Sequence, residues 1–364
     1  MNNPFKFGTV VDDPFFIDRK KEIEKVTSFL SSENHLVLIS PRRMGKSSLI
    51  HKAVSSLVRP VIALDMQLMT GPADLAAQML RRIYRIYPQT RLKQHLKRFR
   101  IIPQLSLNPT TGSIDVSFMP GASSLPILED VLNLAEKLST ENKKLIIVFD
   151  EFQEARRLDE NLLNQLRAIM QHHKMINYVF LGSQESLIRE VFQKKNSPFY
   201  HFAMVMYLKK IDIGEFSEYL EMGFTGIHDE PVRIAGEILE VTRGHPYYTQ
   251  QLAFTVWEMA VSERGQSIKH VDDAVRELIR MHDMDYERIW MSFNSTDRKV
   301  LLGLSISEQQ PLTAYFMRIW DLNASSTVYS SLKRLMTGGY IIKTDKYELD
   351  DPFFSRWIKE RRER

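Results

Sequence analysis

Two stretches far apart in the chain hold the residue types that phosphate chemistry needs. The first is Ser40-Pro41-Arg42-Arg43-Met44-Gly45-Lys46-Ser47-Ser48, which follows the apolar run Leu36-Val37-Leu38-Ile39 and precedes a helical pattern. A strand that turns into Gly-Lys-Ser at a helix start is the context of a phosphate-binding loop. Backbone N–H groups of such a loop, and of the helix it opens, converge on a phosphate. Lys46 can reach the β- and γ-phosphates, and the Ser47 hydroxyl can ligate Mg²⁺. Gly45 lets the backbone approach with no Cβ in the way. Ser40 stands where the motif has its first glycine; it is small, but it takes positive φ less cheaply.

The second stretch is Lys144-Leu145-Ile146-Ile147-Val148-Phe149-Asp150-Glu151. An apolar run ending in an acid fits a strand buried on both faces, and the carboxyl ends of such strands are where open α/β sheets place ligands. Asp150, a hard oxygen donor, would hold Mg²⁺ through its water shell. Glu151 is the candidate to polarise an attacking water, so Glu151 and Lys46 are the candidate catalytic side chains. In phosphoryl transfer, such positioning and charge stabilisation supply most of the rate. A third run, Tyr178-Val179-Phe180-Leu181, ends in Gly182-Ser183-Gln184. A polar side chain there could sense the γ-phosphate or the lytic water, and Ser183 could equally cap the next helix.

Elements must bring these stretches together. From Leu36 to about Leu208, short apolar runs alternate with amphipathic segments, which predicts a parallel sheet covered by helices. The strands expected are Leu36–Ile39, Val61–Leu64, Leu145–Phe149, Tyr178–Leu181 and Met204–Leu208. The segment RIIPQLSLNPTTGSIDVSFM reads as an inserted hairpin at about 100–119, with its turn at Pro109–Gly112. Helical patterns alone fill Glu215 to about Arg288. From Ser295 onward, three short helical stretches precede two strands, YIIKT and KYELD, and the tail Lys359–Arg364 reads as solvated. The domains expected are therefore 1–211, 212–290 and 291–364.

Composition removes several classes. Hydrophobic residues at 43% and charged residues at 26% of 364 exclude a disordered or collagen-like chain. Cysteine is absent, which excludes disulfides, thiol nucleophiles and cysteine-held metals. No H-E-x-x-H spacing and no G-x-S-x-G context occurs. The apolar runs fall far short of the ~20 residues a membrane helix needs, and MNNPFKFGTV lacks the apolar core of a signal peptide, so a cytoplasmic protein is the default. A net charge of +4 is too small to name a partner.

At these residues the chain resembles the archaeal-type ATPases of the STAND and AAA+ branch of P-loop NTPases. The matching pieces are Phe16-Ile17-Asp18-Arg19-Lys20-Lys21-Glu22, Pro-Arg-Arg-Met-Gly-Lys-Ser-Ser, Asp150-Glu151-Phe152-Gln153, Gly182-Ser183-Gln184 and Gly244-His245-Pro246-Tyr247-Tyr248, with Asp351-Pro352-Phe353-Phe354 near the end. The resemblance implies an α/β core, a parallel five-stranded sheet flanked by helices, with the Ser183 strand between the loop strand and the Asp-Glu strand. A helical lid and a winged helix would follow. It also implies that Val10–Arg19, with Phe16 and Arg19, lies along the adenine, and that His245 and Pro246 close over the nucleotide; the bland alternative for Gly-His-Pro is a helix start. Asp18 stands where relatives usually have Gly. After Pro198-Phe199-Tyr200 comes His201-Phe202 instead of Gly-Arg, so an arginine finger is missing there.

The function expected is Mg²⁺-dependent ATP binding and hydrolysis that drives a conformational switch; the alternative is an ADP- or ATP-gated regulatory or DNA-binding protein with little turnover. Two surfaces are candidates for a DNA or protein partner. One is the segment 81–100, in an acid-free stretch that holds Arg81, Arg82, Arg85, Arg91, Lys93, Lys97, Arg98 and Arg100 with Tyr84, Tyr87 and Phe99 interleaved. The other is the third helix of the winged helix, Ser325–Gly338, with Lys333 and Arg334. An oligomer is compatible with this reading and a membrane is not part of it.

Overall fold

The computed structural model describes residues 2–11, 15–17, 19–87, 89–107, 114–119, 123–262, 270–307 and 309–362. They form two compact units: a sheet unit, Lys20–Ser40 with Lys46–Leu208, and a lid–wing unit, Met1–Arg19 with Pro41–Gly45 and Lys209–Arg364.

In the sheet unit the chain runs α1 (Lys20–Ser31), β1 (Leu36–Ile39), α2 (Lys46–Ser55), β2 (Val61–Asp65), α3 (Pro72–Ile86), α4 (Gln89–Leu96), the hairpin β3 (Gln104–Leu107) and β4 (Ile114–Ser117), then α5 (Ser124–Leu138) and β5 (Leu145–Asp150). It continues through α6 (Ala155–Leu158), α7 (Leu162–Met170), β6 (Ile176–Gly182), α8 (Glu185–Phe192) and β7 (Met204–Tyr207). The five core strands are parallel in the order β2-β5-β6-β1-β7, so β6 lies between the loop strand and the Asp-Glu strand as expected. Every residue of β1 and β6 is buried, as both faces of a helix-covered parallel sheet demand. The register pairs Ile39 with Gly182 and Phe149 with Phe180. That register brings Ser40, Asp150 and Ser183 to one edge of the sheet.

Beneath that edge sits an aromatic layer. Phe149 stacks on Phe180 at 5.8 Å, and Phe152 meets Phe180, Phe192 and Phe199 within 4.5 to 5.8 Å. Such pairs add about 0.5–1.5 kcal/mol each beyond their buried area, which stiffens the strand ends above them. The inserted hairpin pairs Gln104 with Ser117 and buries Val116; its expected turn, Pro109–Gly112, lies outside the described residues.

The lid consists of α9 (Ile213–Phe224), α10 (Pro231–Thr242), α11 (Pro246–Ser262), α12 (His270–Met281) and α13 (Asp283–Ser292). Asp212 caps α9 by accepting from the N–H groups of Gly214 and Glu215, and Pro231 opens α10. The N-terminal segment is anchored by Phe5, buried against Phe224 at 4.9 Å. A Cβ on Gly223 would lie 2.4 Å from that ring, so only glycine admits it.

The wing region holds α14 (Ser295–Ile306), α15 (Ala314–Ile319), α16 (Ser325–Thr337), the antiparallel hairpin β8 (Ile341–Lys343) and β9 (Tyr347–Leu349), and α17 (Pro352–Arg362). The last helix buries its first half and leaves Lys359, Glu360 and Arg361 exposed, as expected of the tail, while pairing its arginines. Trp357 is wholly buried against Tyr286, Trp290 and Phe354, Arg361 pairs with Asp283 at 2.8 Å, and Arg362 pairs with Glu287. No described helix is long and apolar enough to cross a membrane.

The basic segment is partly neutralised. Arg100 pairs with Glu129 and Asp130 at 2.8 and 2.9 Å, and Arg81 lies 3.6 Å from Asp115. Arg85, Lys97 and Arg98 are exposed, and the side chains of Arg91 and Lys93 lie outside the described set.

Candidate functional site

The sheet unit holds eight of the expected site residues, Ser40, Lys46, Ser47, Ser48, Asp150, Glu151, Ser183 and Gln184, around the carboxyl ends of its strands. Helix α2 begins at Lys46. Lys46 is buried, and its Nζ donates to the Ser40 carbonyl at 3.2 Å. The Ser47 hydroxyl donates to Asp150 Oδ2 at 3.0 Å, while the Glu151 N–H donates to Asp150 Oδ1, also at 3.0 Å. Burial and the neighbouring Glu151 charge push the Asp150 carboxyl up from its ordinary value; the Ser47 bond and the Lys46 charge oppose them. A cation placed beside Asp150 would reverse that balance, because an opposite charge favours the ionised form.

Glu151 leaves the strand in the left-handed region, φ 51 and ψ 45. A non-glycine residue held there costs roughly 1–3 kcal/mol, and the surrounding contacts offset it. Glu151 Oε2 accepts from the Ser183 hydroxyl at 2.6 Å, from the Ser183 N–H at 3.3 Å, and from the Gln153 amide. The Ser183 hydroxyl is thus directed to Glu151. It does not cap α8, whose cap position is Gln184 without a side-chain cap bond. Gln184 itself is half-buried. Beside it, burial raises the Glu185 carboxyl against the charges of Arg189 and Lys46.

Gln153 was not singled out by the spacing of the motifs. It is buried, two residues beyond Glu151 in the turn Phe152–Glu154, and its side chain returns to the acid. In the sequence it stood only as the last residue of the family-matching piece Asp150-Glu151-Phe152-Gln153, with no role attached.

The Ser47 hydroxyl and the Asp150 carboxylate are hard oxygen donors side by side. They suit Mg²⁺, which takes one or two protein ligands and fills its shell with phosphate and water. Among the described residues no cluster of three or more His, Asp or Glu side chains forms an all-protein metal cage. Gly45 adopts φ +84 with nothing within 4 Å of the position a Cβ would take, which is the open cradle a phosphate needs.

The lid–wing unit places the remaining residues. Arg19 is buried and donates to the carbonyls of Met44 and Lys209, both at 3.1 Å. Arg43, left-handed at φ 61, donates to the Tyr248 hydroxyl at 3.1 Å and lies 4.5 Å above the Tyr247 ring. Burial, then the charges of Asp351 and Asp350, push the Tyr248 phenol well up. His245 is 1% exposed; its Nε2 stands 3.4 Å from Asp350 Oδ1, and neither atom has a hydrogen bond among the described residues. Pro246 is the first residue of α11. Met44 is buried, Pro41 and Phe16 half-buried and Arg42 exposed; Ser48, in the sheet unit, is buried. Asp18 lies outside the described residues.

Residues 16–252 match the model of an ATPase domain predominantly from Archaea, and residues 284–360 match a probable winged helix domain. No protein of curated function matches the chain. Among solved structures, the Walker-type ATPase of Pyrococcus abyssi is similar at 18% identity and a TM-score of 0.69, over 97% of this chain and 99% of that one. The ORC2 protein of Aeropyrum pernix in its ADPNP–ADP complexes is similar at 16% identity and a TM-score of 0.56, over 98% and 96%. At these identities the likeness shows the fold. The family model covers well over half of the chain, and with the site described it establishes that the chain belongs to the archaeal-type ATPase-domain family, with a winged helix at its C-terminal end.

Proposed function

We propose that the protein binds ATP with Mg²⁺, hydrolyses it slowly, and uses the two nucleotide states to switch the lid and the winged helix. The observation that carries this reading is the Ser47–Asp150 bond beside a Glu151 fixed by Ser183. Ser47 and Asp150 would hold the metal, and Lys46 would bring its charge to the phosphates. Bound Mg²⁺ would supply neutralisation of charge on the leaving oxygens. Glu151 accepts the proton of the attacking water, and Ser183 keeps its carboxylate in place. Phosphate release by wild type, Lys46→Ala and Glu151→Gln tests the reading; equal rates in all three would remove it.

The switch has its own support within the lid–wing unit. Glu348 pairs with Lys210 at 2.9 Å and lies 3.6 Å from Arg243, and Asp350 faces His245. Acids of the wing thus meet the lid's Arg243 and His245, contacts that a change of state can break. In this reading residues 1–211 are the ATPase core, 212–290 the lid and 291–364 the winged helix. His245 and Pro246 keep their part as proposed nucleotide contacts, tested by the ADP affinity of His245→Ala. DNA or a protein client is the proposed partner, through α16 and the segment 81–100. Duplex binding that weakens steeply with salt would support DNA; no binding at physiological salt would leave the protein client.

A further inference from the structure

We propose that Gln153 is a positioning residue for hydrolysis: its amide, with Ser183, occupies Glu151 Oε2 so that Oε1 is the oxygen that takes the proton of the attacking water. This rests on the ATPase reading and adds a residue to it.

The orientation of the amide is fixed by chemistry. An ionised carboxylate only accepts, so the NH₂ of Gln153 must face Glu151. Its own carbonyl oxygen, Oε1, is then left buried without a hydrogen-bond partner among the described residues. An orphaned buried acceptor costs about 1–3 kcal/mol. A side chain needed only to fill this space would do better without that oxygen, as methionine would.

The neighbouring backbone is arranged around the same amide. A Cβ on Gly182 would lie 2.9 Å from Gln153 Oε1 and 2.7 Å from Ile188 Cγ1, so the space that Gln153 occupies exists because residue 182 has no side chain. The left-handed turn at Glu151, closed by the Glu154 N–H on the Glu151 carbonyl at 2.9 Å, folds residue 153 back onto residue 151. Donors from two elements, the turn after β5 and the end of β6, therefore grip one oxygen. Three donors exceed the two lone pairs of that oxygen, and Glu151 Oε1 carries no hydrogen bond among the described residues. In the step itself, the water oxygen bonds to the γ-phosphorus as its proton passes to Glu151 Oε1. The bond from phosphorus to the bridging oxygen breaks, its electron pair leaves on ADP, and Glu151 later releases the proton to solvent.

The test measures phosphate release, calorimetric ADP affinity and thermal melting for wild type, Gln153→Met, Glu151→Gln and the double variant. Gln153→Met should lower kcat about 10-fold or more, since sub-ångström misplacement of a reacting group has effects of that size. KM and ADP affinity should stay within about twofold, because uniform binding is untouched. In the Glu151→Gln background the same change should cause no further loss, since the residue it positions is already gone. Gln153→Glu should regain rate as pH falls, because a protonated side chain donates again. Two results would overturn the proposal: an unchanged kcat in Gln153→Met, or a full additional loss in the double variant. A wild type that binds ADP but releases no phosphate would instead remove the ATPase reading, and this proposal with it.

Discussion

Around Glu151 each described carboxylate contact is a hydrogen bond from a strand end or a tight turn; around His245 a buried acid and a buried imidazole face each other at 3.4 Å with none. The sheet unit holds its charges with backbone N–H groups and short side chains. Their positions are set by β-ladder register, so little can shift without breaking the sheet. The lid–wing unit holds its charges with long side chains reaching between helices and a hairpin, such as Lys210 to Glu348. Fixed donors suit a step that needs pre-set geometry. Longer reaches suit contacts made in one state and lost in another.

Removing one charge from each region should have the most unequal effect. Glu151→Gln should lower kcat by about 10²–10⁴-fold, the contribution of a general base. Asp350→Asn should keep kcat within about threefold, because its carboxylate holds no hydrogen bond at Oδ1. Phosphate release under saturating ATP measures both. A comparable loss in Asp350→Asn would erase the distinction between the proposed chemical region and the proposed switching one.

Acid should separate the regions next. His35, at the foot of β1, accepts from the Tyr178 N–H through Nδ1 at 3.3 Å, which requires the ring to be neutral there. Burial, then the charges of Arg167 and His173, lower its pKa from 6.5 to about 4. Below pH 6.5 the unfolded chain binds a proton that the folded chain refuses, so stability falls as pH drops and levels off near 4. The slope approaches about 1.4 kcal/mol per pH unit and totals up to about 3 kcal/mol. Urea unfolding followed through amide exchange in β1 and β6 should show this loss, and His35→Phe should flatten it. An unchanged slope in that variant would assign the acid sensitivity elsewhere, to His173 first.

Much of the sheet unit was legible in the sequence because its signals are local. Leu36–Ile39 is the same in expectation and structure, and the apolar run to Phe149 ends in Asp150 where the strand ends. The strand order came from the resemblance, not from any run of residues. What escaped depends on contacts that no local pattern encodes. Gln153 reaches Glu151 only because residue 151 is left-handed, and an acid after a strand does not announce positive φ. Ser183 read as a phosphate sensor or a helix cap; its hydroxyl instead meets Glu151, a partner that only sheet register supplies. Asp350 and His245 lie far apart in sequence, so their meeting is a product of the wing fold. Arg361 is exposed, as the charge run suggested, but no local pattern points to its partner Asp283, or to Glu287 beside Arg362, both on α13.

The smallest predicted effect tests a feature the two regions share, a single left-handed non-glycine residue next to the phosphate-chemistry motifs: Glu151 in one and Arg43 in the other. At Glu151 three hydrogen bonds hold the conformation; at Arg43 the holders are one bond to Tyr248 and the face of Tyr247. Arg43→Ala loses both contacts and keeps the strained backbone, and should lower stability by about 1–2 kcal/mol. Arg43→Gly loses the same contacts but removes the left-handed penalty of roughly 1 kcal/mol, so it should be the more stable of the two. All four tryptophans, Trp257, Trp290, Trp320 and Trp357, lie in the lid–wing unit, so tryptophan emission during urea unfolding reads this unit directly. Equal midpoints for Ala and Gly would mean that the loop stores no strain at residue 43. Wild-type midpoints in both would mean that the tyrosines contribute nothing to holding it, and the likeness to Glu151 would end at the backbone angle.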